Sequence, residues 1–357
     1  MNIKHLHTDQ YYWLTIVLWI SVLVSCSGAG REFYGESIQK PGSGNYLTGF
    51  PYRDAGLYLE TMMKSVKRIT STSYYTTYFF SNEDRIRIED ISSSDQLDVL
   101  SRGQTETTSS KAGSAIIIHN RNNKIALITT AHTITSPDTL YEYYSSDSIY
   151  LQSISVRSNQ VNWLYDAQFM GIFEVLAIDP IADLAVIGTG IDDLELQDSM
   201  KKDFPVIPYP LGNSENLRSG AFVYLLGYPR GYQTVTSGIV SQPNRDRYGS
   251  FVTDVLFNPG FSGGLFVAID GGIPAFEWIG IARSASVSRA WVLKPDEEKA
   301  TKQASQFPYE DEIYAVQESY IDYGITHAIS TQRISSFLRQ YRIVLINNGY
   351  NLDFWNP

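Results

Sequence analysis

A serine hydroxyl becomes a nucleophile only where a base can take its proton and a carboxylate can hold that base in the right tautomer. This chain offers one residue of each type in a suggestive setting. Ser262 stands in Asn258-Pro259-Gly260-Phe261-Ser262-Gly263-Gly264, a tight turn between two apolar runs. Glycines there let the backbone bend sharply and approach other groups closely. A serine held in such a turn projects into a cleft, with neighbouring N–H groups free to receive a developing oxyanion. Taken alone, the motif fits a plain Gly-rich hairpin turn equally well. His132 ends the run Ile125-Ala126-Leu127-Ile128-Thr129-Thr130-Ala131, so it lies at a strand tip, where a ring can face a cleft. His119 follows Ile116-Ile117-Ile118 and precedes Asn120-Arg121-Asn122-Asn123, which reads as a solvent-facing hairpin turn. For the carboxylate there are Asp179 and Asp183. Asp179 precedes a proline and suits a turn. Asp183 directly precedes the apolar Leu184-Ala185-Val186-Ile187, is drawn into the interior and needs a partner there. Asp183 is the better candidate.

Short, β-branched apolar runs carry these residues: Ala115–Ile118, Ile125–Thr130, Ile149–Val156, Phe173–Ile178, Leu184–Ile187, Ala221–Leu226, Thr234–Val240, Phe251–Phe257, Leu265–Ile269 and Trp278–Ile281. Many short strands without intervening helices predict an all-β sandwich or barrel. Lys67–Phe80, dense in Thr and Tyr, reads as a further strand, and Ala55–Val66 as a helix. Near the end, Ile334, Phe337, Leu338 and Tyr341 recur at i, i+3, i+4 and i+7, predicting an amphipathic helix capped by Thr331. Ser81–Lys111 is polar and reads as a long surface loop. The charged, Pro-containing segment Ser286–Tyr323 reads as a long mobile loop.

The order His132, Asp183, Ser262 in a β-rich chain resembles the chymotrypsin-like clan of serine proteases, and the local text is most similar to its Deg/HtrA branch. The resemblance is carried by Thr129-Thr130-Ala131-His132, by Asp179-Pro180 through Asp183-Leu184-Ala185-Val186-Ile187, by Leu226-Gly227-Tyr228-Pro229, and by Thr234–Ser241. It continues through Thr253-Asp254, Asn258–Gly264 and Tyr323-Gly324-Ile325 to Ala328-Ile329, and covers about Lys111 to Leu338. Gly260-Phe261-Ser262-Gly263-Gly264 also satisfies G-x-S-x-G, but a nucleophile elbow leads into a helix and is followed by its acid and histidine. Here a strand-like run follows, and His327 is the only later histidine.

The resemblance implies two six-stranded antiparallel β-barrels of the chymotrypsin type with a C-terminal helix. The protease domain would span residues 51–345, with the first barrel reaching about 195, the second starting at about 204, and a tail at 346–357. It implies that Ser262 attacks the scissile carbonyl, that His132 takes and returns the proton, and that Asp183 orients the imidazole. The oxyanion would go to the backbone N–H groups of Gly260 and Ser262. Protein or peptide substrates are implied, and homo-oligomers are open to the family, in which trimers are common. No cofactor is implied, and the remaining histidines with one cysteine make no metal-ligand spacing. The alternative function is a catalytically silent binding or scaffold protein on the same fold.

Three departures matter. Where digestive members of the clan have an aspartate that pairs with a newly cut N-terminus, this chain has Phe261, so the turn must be ordered by packing or by a neighbouring loop. Only 19 residues follow Leu338, so the C-terminal PDZ domain usual in the Deg/HtrA branch is not expected. The Ser286–Tyr323 insertion is longer and more acidic than a family loop at that place. Val255-Leu256-Phe257 and Ile279-Gly280-Ile281-Ala282 suggest an apolar pocket for a small or medium aliphatic residue on the acyl side of the cut, with Asp254 structural and His327 near the pocket wall.

At the N-terminus, Tyr11–Val24 is uncharged and almost wholly apolar, too short for the ~20 residues of a spanning helix and apt for a secretory signal over residues 1–25. Leu23-Val24-Ser25-Cys26 resembles the lipobox of bacterial lipoproteins. Lipidation of Cys26, the only cysteine, would consume the lone thiol and anchor the chain to a bilayer. Ser27 after it is compatible with transfer to the outer membrane of a Gram-negative cell, and residues 26–50 read as a flexible tether. A net charge of −10 and a pI near 5.0 exclude nucleic acid as a partner, which requires a basic face.

Overall fold

The computed structural model describes residues 42–122, 124–144, 149–166, 169–189, 204–295 and 313–352. The readings placed on residues 1–41, the signal segment and Cys26 among them, lie outside this set, as do residues 296–312 of the insertion.

Strands β1 (Val66–Phe79), β2 (Gly103–Arg121), β3 (Lys124–Thr129), β4 (Thr139–Tyr143), β5 (Leu151–Asp166), β6 (Phe169–Asp179) and β7 (Leu184–Thr189) form one sheet in the order β1-β2-β3-β7-β6-β5-β4. Strand β1 also pairs with β5, from Arg68↔Tyr165 to Phe79↔Ser153, which closes six of the strands into a barrel and leaves β4 as an extra ribbon beside β5. The second barrel is closed by β8 (Phe222–Gly227), β9 (Thr234–Gln242), β10 (Phe251–Thr253), β11 (Leu265–Ile269), β12 (Phe276–Pro295) and β13 (Ile313–Ser330), in the order β10-β13-β12-β11-β8-β9. The fold is all-β, two antiparallel barrels of six strands each, and a helix at Thr331–Gln340 follows them.

Alternation along each strand explains why the sequence reads as unbroken apolar runs. On β2, Ala115 and Ile117 fill the first barrel while Ile116 and Ile118 face the seam between the barrels. On β11, Phe266 and Ala268 fill the second barrel while Leu265, Val267 and Ile269 face that same seam. With side chains alternating at period two, a strand buried on both faces needs apolar residues at every position. Ile334, Phe337 and Leu338 bury the apolar face of the C-terminal helix in the seam, as their spacing requires. The cap is Ser330 rather than Thr331: the Ser330 hydroxyl accepts from the Arg333 amide at 3.2 Å, while Thr331 Oγ1 accepts from the Ser214 amide at 3.2 Å.

Four further expectations are corrected. The Ser286–Tyr323 segment, where described, is a two-stranded antiparallel ribbon rather than a loop, with pairs running from Ser286↔Asp322 to Pro295↔Ile313. Its charged and polar residues alternate with Val287, Trp291, Leu293 and Val316, all exposed, so no core-facing period was legible. Ser81–Lys111 contains a helix at Ser94–Leu100, whose Leu97 is buried, and β2 begins at Gly103. The tether ends sooner than Phe50: the Gly42 amide donates to Glu277, the Ser43 amide donates to Asp270, and the Tyr46 hydroxyl donates to Glu277 Oε2 at 2.6 Å. Burial, reinforced by Glu277, pushes the Tyr46 phenol far above its ordinary range.

His119 is buried rather than solvent-facing, because Tyr350, from beyond the C-terminal helix, covers it edge-on at 5.5 Å. Burial, with Arg121 and Lys124 nearby, lowers its pKa. The unfolded chain therefore takes up a proton near the ordinary histidine value of ~6.5 that the folded chain refuses. The stability due to neutral His119 is whole above that pH and is lost as pH falls. His119→Phe is expected to flatten the decline in Tm between about pH 7 and pH 5; an unchanged slope would assign the decline to another group.

Candidate active site

The three candidate residues come from three different connections and meet in one line. His132 lies in a short helix, Ala131–Ile134, that begins where β3 ends. Asp183 sits in the tight turn between β6 and β7 with φ +56°, a left-handed conformation that aspartate tolerates better than most residues. Asp179 builds that turn, its Oδ1 accepting from the Ile181 and Ala182 amides at 2.9 Å each. His132 Nδ1 lies 2.9 Å and 3.0 Å from the two Asp183 oxygens, and the His132 amide donates to Oδ1 at 3.0 Å. On the other side of the ring, Nε2 is 2.9 Å from Ser262 Oγ. The ionised carboxylate fixes the tautomer: Nδ1–H donates to Asp183, so Nε2 is the acceptor that faces the serine.

The Asp183 side chain is only 8% exposed. Burial alone would raise its pKa, but the His132 ring and amide, together with the Arg283 guanidinium, outweigh burial and hold the carboxyl below the ordinary range. Arg283 Nε donates to Asp183 Oδ2 at 3.1 Å, and the Arg283 carbonyl lies 3.2 Å from Ser262 Oγ. Arg283 therefore touches both ends of the constellation.

The turn around Ser262 is clamped by its carbonyls. The Arg230 amide donates to Pro259 O at 2.8 Å, Ser114 Oγ donates to Gly260 O at 2.8 Å, and the Ser114 amide donates to Ser262 O at 2.7 Å. Ser114 Oγ also accepts from the Tyr228 amide at 2.9 Å, and Ser114 O accepts from Thr129 Oγ1 at 2.7 Å. Gly263 donates to Ala282 O at 2.9 Å, and Gly264 to Phe261 O at 2.8 Å. With those carbonyls turned outward, no described residue accepts from Gly260 N–H or Ser262 N–H. Two of the glycines are steric necessities. Gly260 has φ +104°, and a Cβ there would lie 2.4 Å from Tyr228 O; at Gly263, with φ +85°, a Cβ would lie 1.9 Å from Ser114 O.

Phe261 takes the place of an ion pair by packing. It is 2% exposed, belongs to the second barrel's core, and stands with its ring 6.0 Å from that of Phe257. The apolar pocket expected from Val255, Phe257, Ile279, Ile281 and Ala282 is not assembled, because all five are buried in the barrel core or the seam; only Leu256, at 55% exposure, is available. Asp254 is structural, its Oδ1 accepting from the Ile239 amide at 2.6 Å. His327 stands beside Arg245 and Ser286, on the wall of a cleft that Arg283 also lines. The sequence around Ser114, Arg230 and Arg283 carries no sign of the contacts they make. None is of a type that announces chemistry, and each acts across a long stretch of chain.

Residues 113–273 match the model of the trypsin-like peptidase domain. The chain is 37% identical over 106 residues to a probable periplasmic serine endoprotease, DegP-like, of Marinomonas sp. (strain MWYL1), covering 28% of this chain and 20% of that protein. It thus spans about a fifth of the length of such curated relatives. Among solved structures, an HtrA-type protease with decapeptide is similar at 19% identity and TM-score 0.43, covering 84% of this chain and 68% of that one. The serine endoprotease from Yersinia pestis is similar at 18% identity and TM-score 0.41, covering 85% and 70%.

Ser114→Ala would strand the Tyr228 amide and the Gly260 carbonyl, a cost of about 1–3 kcal/mol for unsatisfied buried groups. The expected result is a lower Tm in thermal denaturation together with slower phosphonylation of Ser262 by a fluorophosphonate, with fluoride leaving. Unchanged values for both would show that the clamp is dispensable.

Proposed function

We propose that this chain, which carries a trypsin-like serine peptidase domain of the Deg/HtrA type, is a serine endopeptidase of the bacterial envelope that cleaves exported or misfolded proteins through an acyl-enzyme. The observation that carries the proposal is the continuous line from Asp183 through His132 to Ser262, with 2.9 Å at each junction, ending beside two N–H groups that no described residue occupies.

The chemistry follows from that line. Ser262 Oγ attacks the scissile carbonyl while its proton passes to His132 Nε2. The imidazolium is stabilised by the buried Asp183 carboxylate, which stays ionised because its pKa is held low. The carbonyl oxygen, becoming an oxyanion, takes up the hydrogen bonds of Gly260 N–H and Ser262 N–H, which cost no reorganisation because the turn is already clamped. His132 then delivers its proton to the leaving amine, and water repeats the sequence on the ester.

Export is supported by the apolar segment Tyr11–Val24 and by the periplasmic setting in the names of the relatives. Anchoring to the bilayer through lipidated Cys26 is supported by Leu23-Val24-Ser25-Cys26. Residues 26–41 would then link the anchor to the point where Gly42 and Ser43 dock on the second barrel. Assembly into homo-oligomers would be in keeping with the family.

The test is covalent labelling with a fluorophosphonate and hydrolysis of an unfolded protein substrate. The wild type is expected to label, and Ser262→Ala is not. Turnover should fall by on the order of 10⁶ in Ser262→Ala or His132→Ala, since such residues act as a unit. A wild type that labels no more than Ser262→Ala would replace the endopeptidase with a silent scaffold on the same fold.

A further inference from the structure

Beside Asp183, a cleft of about 440 Å³ opens between Ile181–Ala182, the loop Arg245–Ser250, Arg283–Ser284 of β12 and His327–Ile329 of β13. Its wall holds three arginines, Arg245, Arg283 and Arg333, against one carboxylate, Asp246. In a chain of net charge −10 this concentration runs against the average surface.

The charges in and around the cleft are unevenly committed. Asp246 Oδ1 accepts from the Tyr248 and Ser250 amides at 2.9 Å and 3.1 Å. Arg333 lies over the Tyr248 ring at 4.1 Å and is 4.0 Å from Asp179. Arg283 gives Nε to Asp183, and its two terminal nitrogens have no carboxylate partner among the described residues. Arg245 has no carboxylate partner among the described residues; its guanidinium meets His327 Nδ1 instead. His327 Nε2 is 3.1 Å from Ser286 Oγ. To accept from Arg245, the imidazole must carry its proton on Nε2 and be neutral. Burial, then Arg245 and Arg283, lower its pKa in the direction this requires. His327 therefore orients Arg245 without cancelling its charge, and the planar guanidinium keeps further N–H groups for a planar anion.

We propose that this cleft is a specificity subsite for an acidic side chain, Glu or Asp, within four residues of the scissile bond, with Arg245 binding the carboxylate and Arg283 joining the subsite to the triad. The inference rests on the endopeptidase reading for its substrate. Arg283 explains why such a subsite would bear on rate as well as affinity: the residue that lines the cleft also bonds Asp183 and places its carbonyl beside Ser262 Oγ.

The experiment uses the full chain in detergent with internally quenched peptides that differ only in Glu or Gln at each of the four positions on either side of the cut. At one or more positions kcat/KM is expected to be about tenfold higher for Glu, the order that one charge-assisted hydrogen bond supplies. That ratio should shrink as salt is raised, since the site is open to solvent. In Arg245→Gln the ratio should fall to about one, and Arg245→Lys should restore part of it. A ratio near one at every position in the wild type, or a ratio that survives Arg245→Gln, overturns the proposal. If no peptide is cut, fluorescence anisotropy of the same peptides on Ser262→Ala decides. Tighter binding of the Glu peptide would uphold the subsite while the endopeptidase reading failed; equal binding would overturn the subsite as well.

Discussion

Ser114 makes the contact on which the rest of the site depends. It belongs to the first barrel, yet its amide holds the carbonyl of Ser262, and its hydroxyl is wedged between Gly260 O and the Tyr228 amide of the second. Two barrels that only shared an apolar seam could slide, because burial of apolar area has no direction. A buried hydroxyl with both of its bonds made does have a direction, and losing it leaves polar groups stranded. Thr129, a few residues before His132, bonds the Ser114 carbonyl, so the strand that leads to His132 and the turn that holds Ser262 are registered against the same residue.

The second constraint is electrostatic. Asp183 is buried, and an isolated buried carboxylate would rather be neutral. His132 and Arg283 reverse that preference, and the resulting anion is what an imidazolium requires. Arginine at position 283 makes the arrangement three-sided, with the His132 ring, the His132 amide and the guanidinium all on the carboxylate. The carboxylate is shared between the base and a guanidinium that also forms the wall of a cleft. Phe261 completes the set by apolar means: buried against Phe257, it fixes the turn without any charge having to be generated.

Much of this was legible in the sequence for identifiable reasons. Ser262, His132 and Asp183 stood out because few residue types can serve and because glycines must surround a tight turn. Strands β3, β7, β8, β10 and β11 stood out because they are buried on both faces. The β12–β13 ribbon did not, since Val287, Trp291 and Leu293 are exposed and no core imposes a period on it. His119 looked like a turn residue because its cover, Tyr350, lies at the far end of the chain. Val255, Phe257, Ile279, Ile281 and Ala282 looked like pocket residues because sequence cannot tell which face of an apolar strand meets a cleft and which meets the core. Ser114 and Arg283 were invisible for the deeper reason that their roles exist only once the barrels are closed.

The central claim is that the oxyanion turn is already built, held by Ser114, Arg230 and Phe261. A crystal structure of the protein with a peptidyl boronate bonded to Ser262 Oγ measures this most directly. The account predicts a boronate oxygen within hydrogen-bond distance of Gly260 N and Ser262 N, with Pro259 O still on the Arg230 amide and Gly260 O still on Ser114 Oγ. A turn in which the Pro259–Gly260 peptide has rotated, breaking those two bonds to admit the ligand, would contradict it.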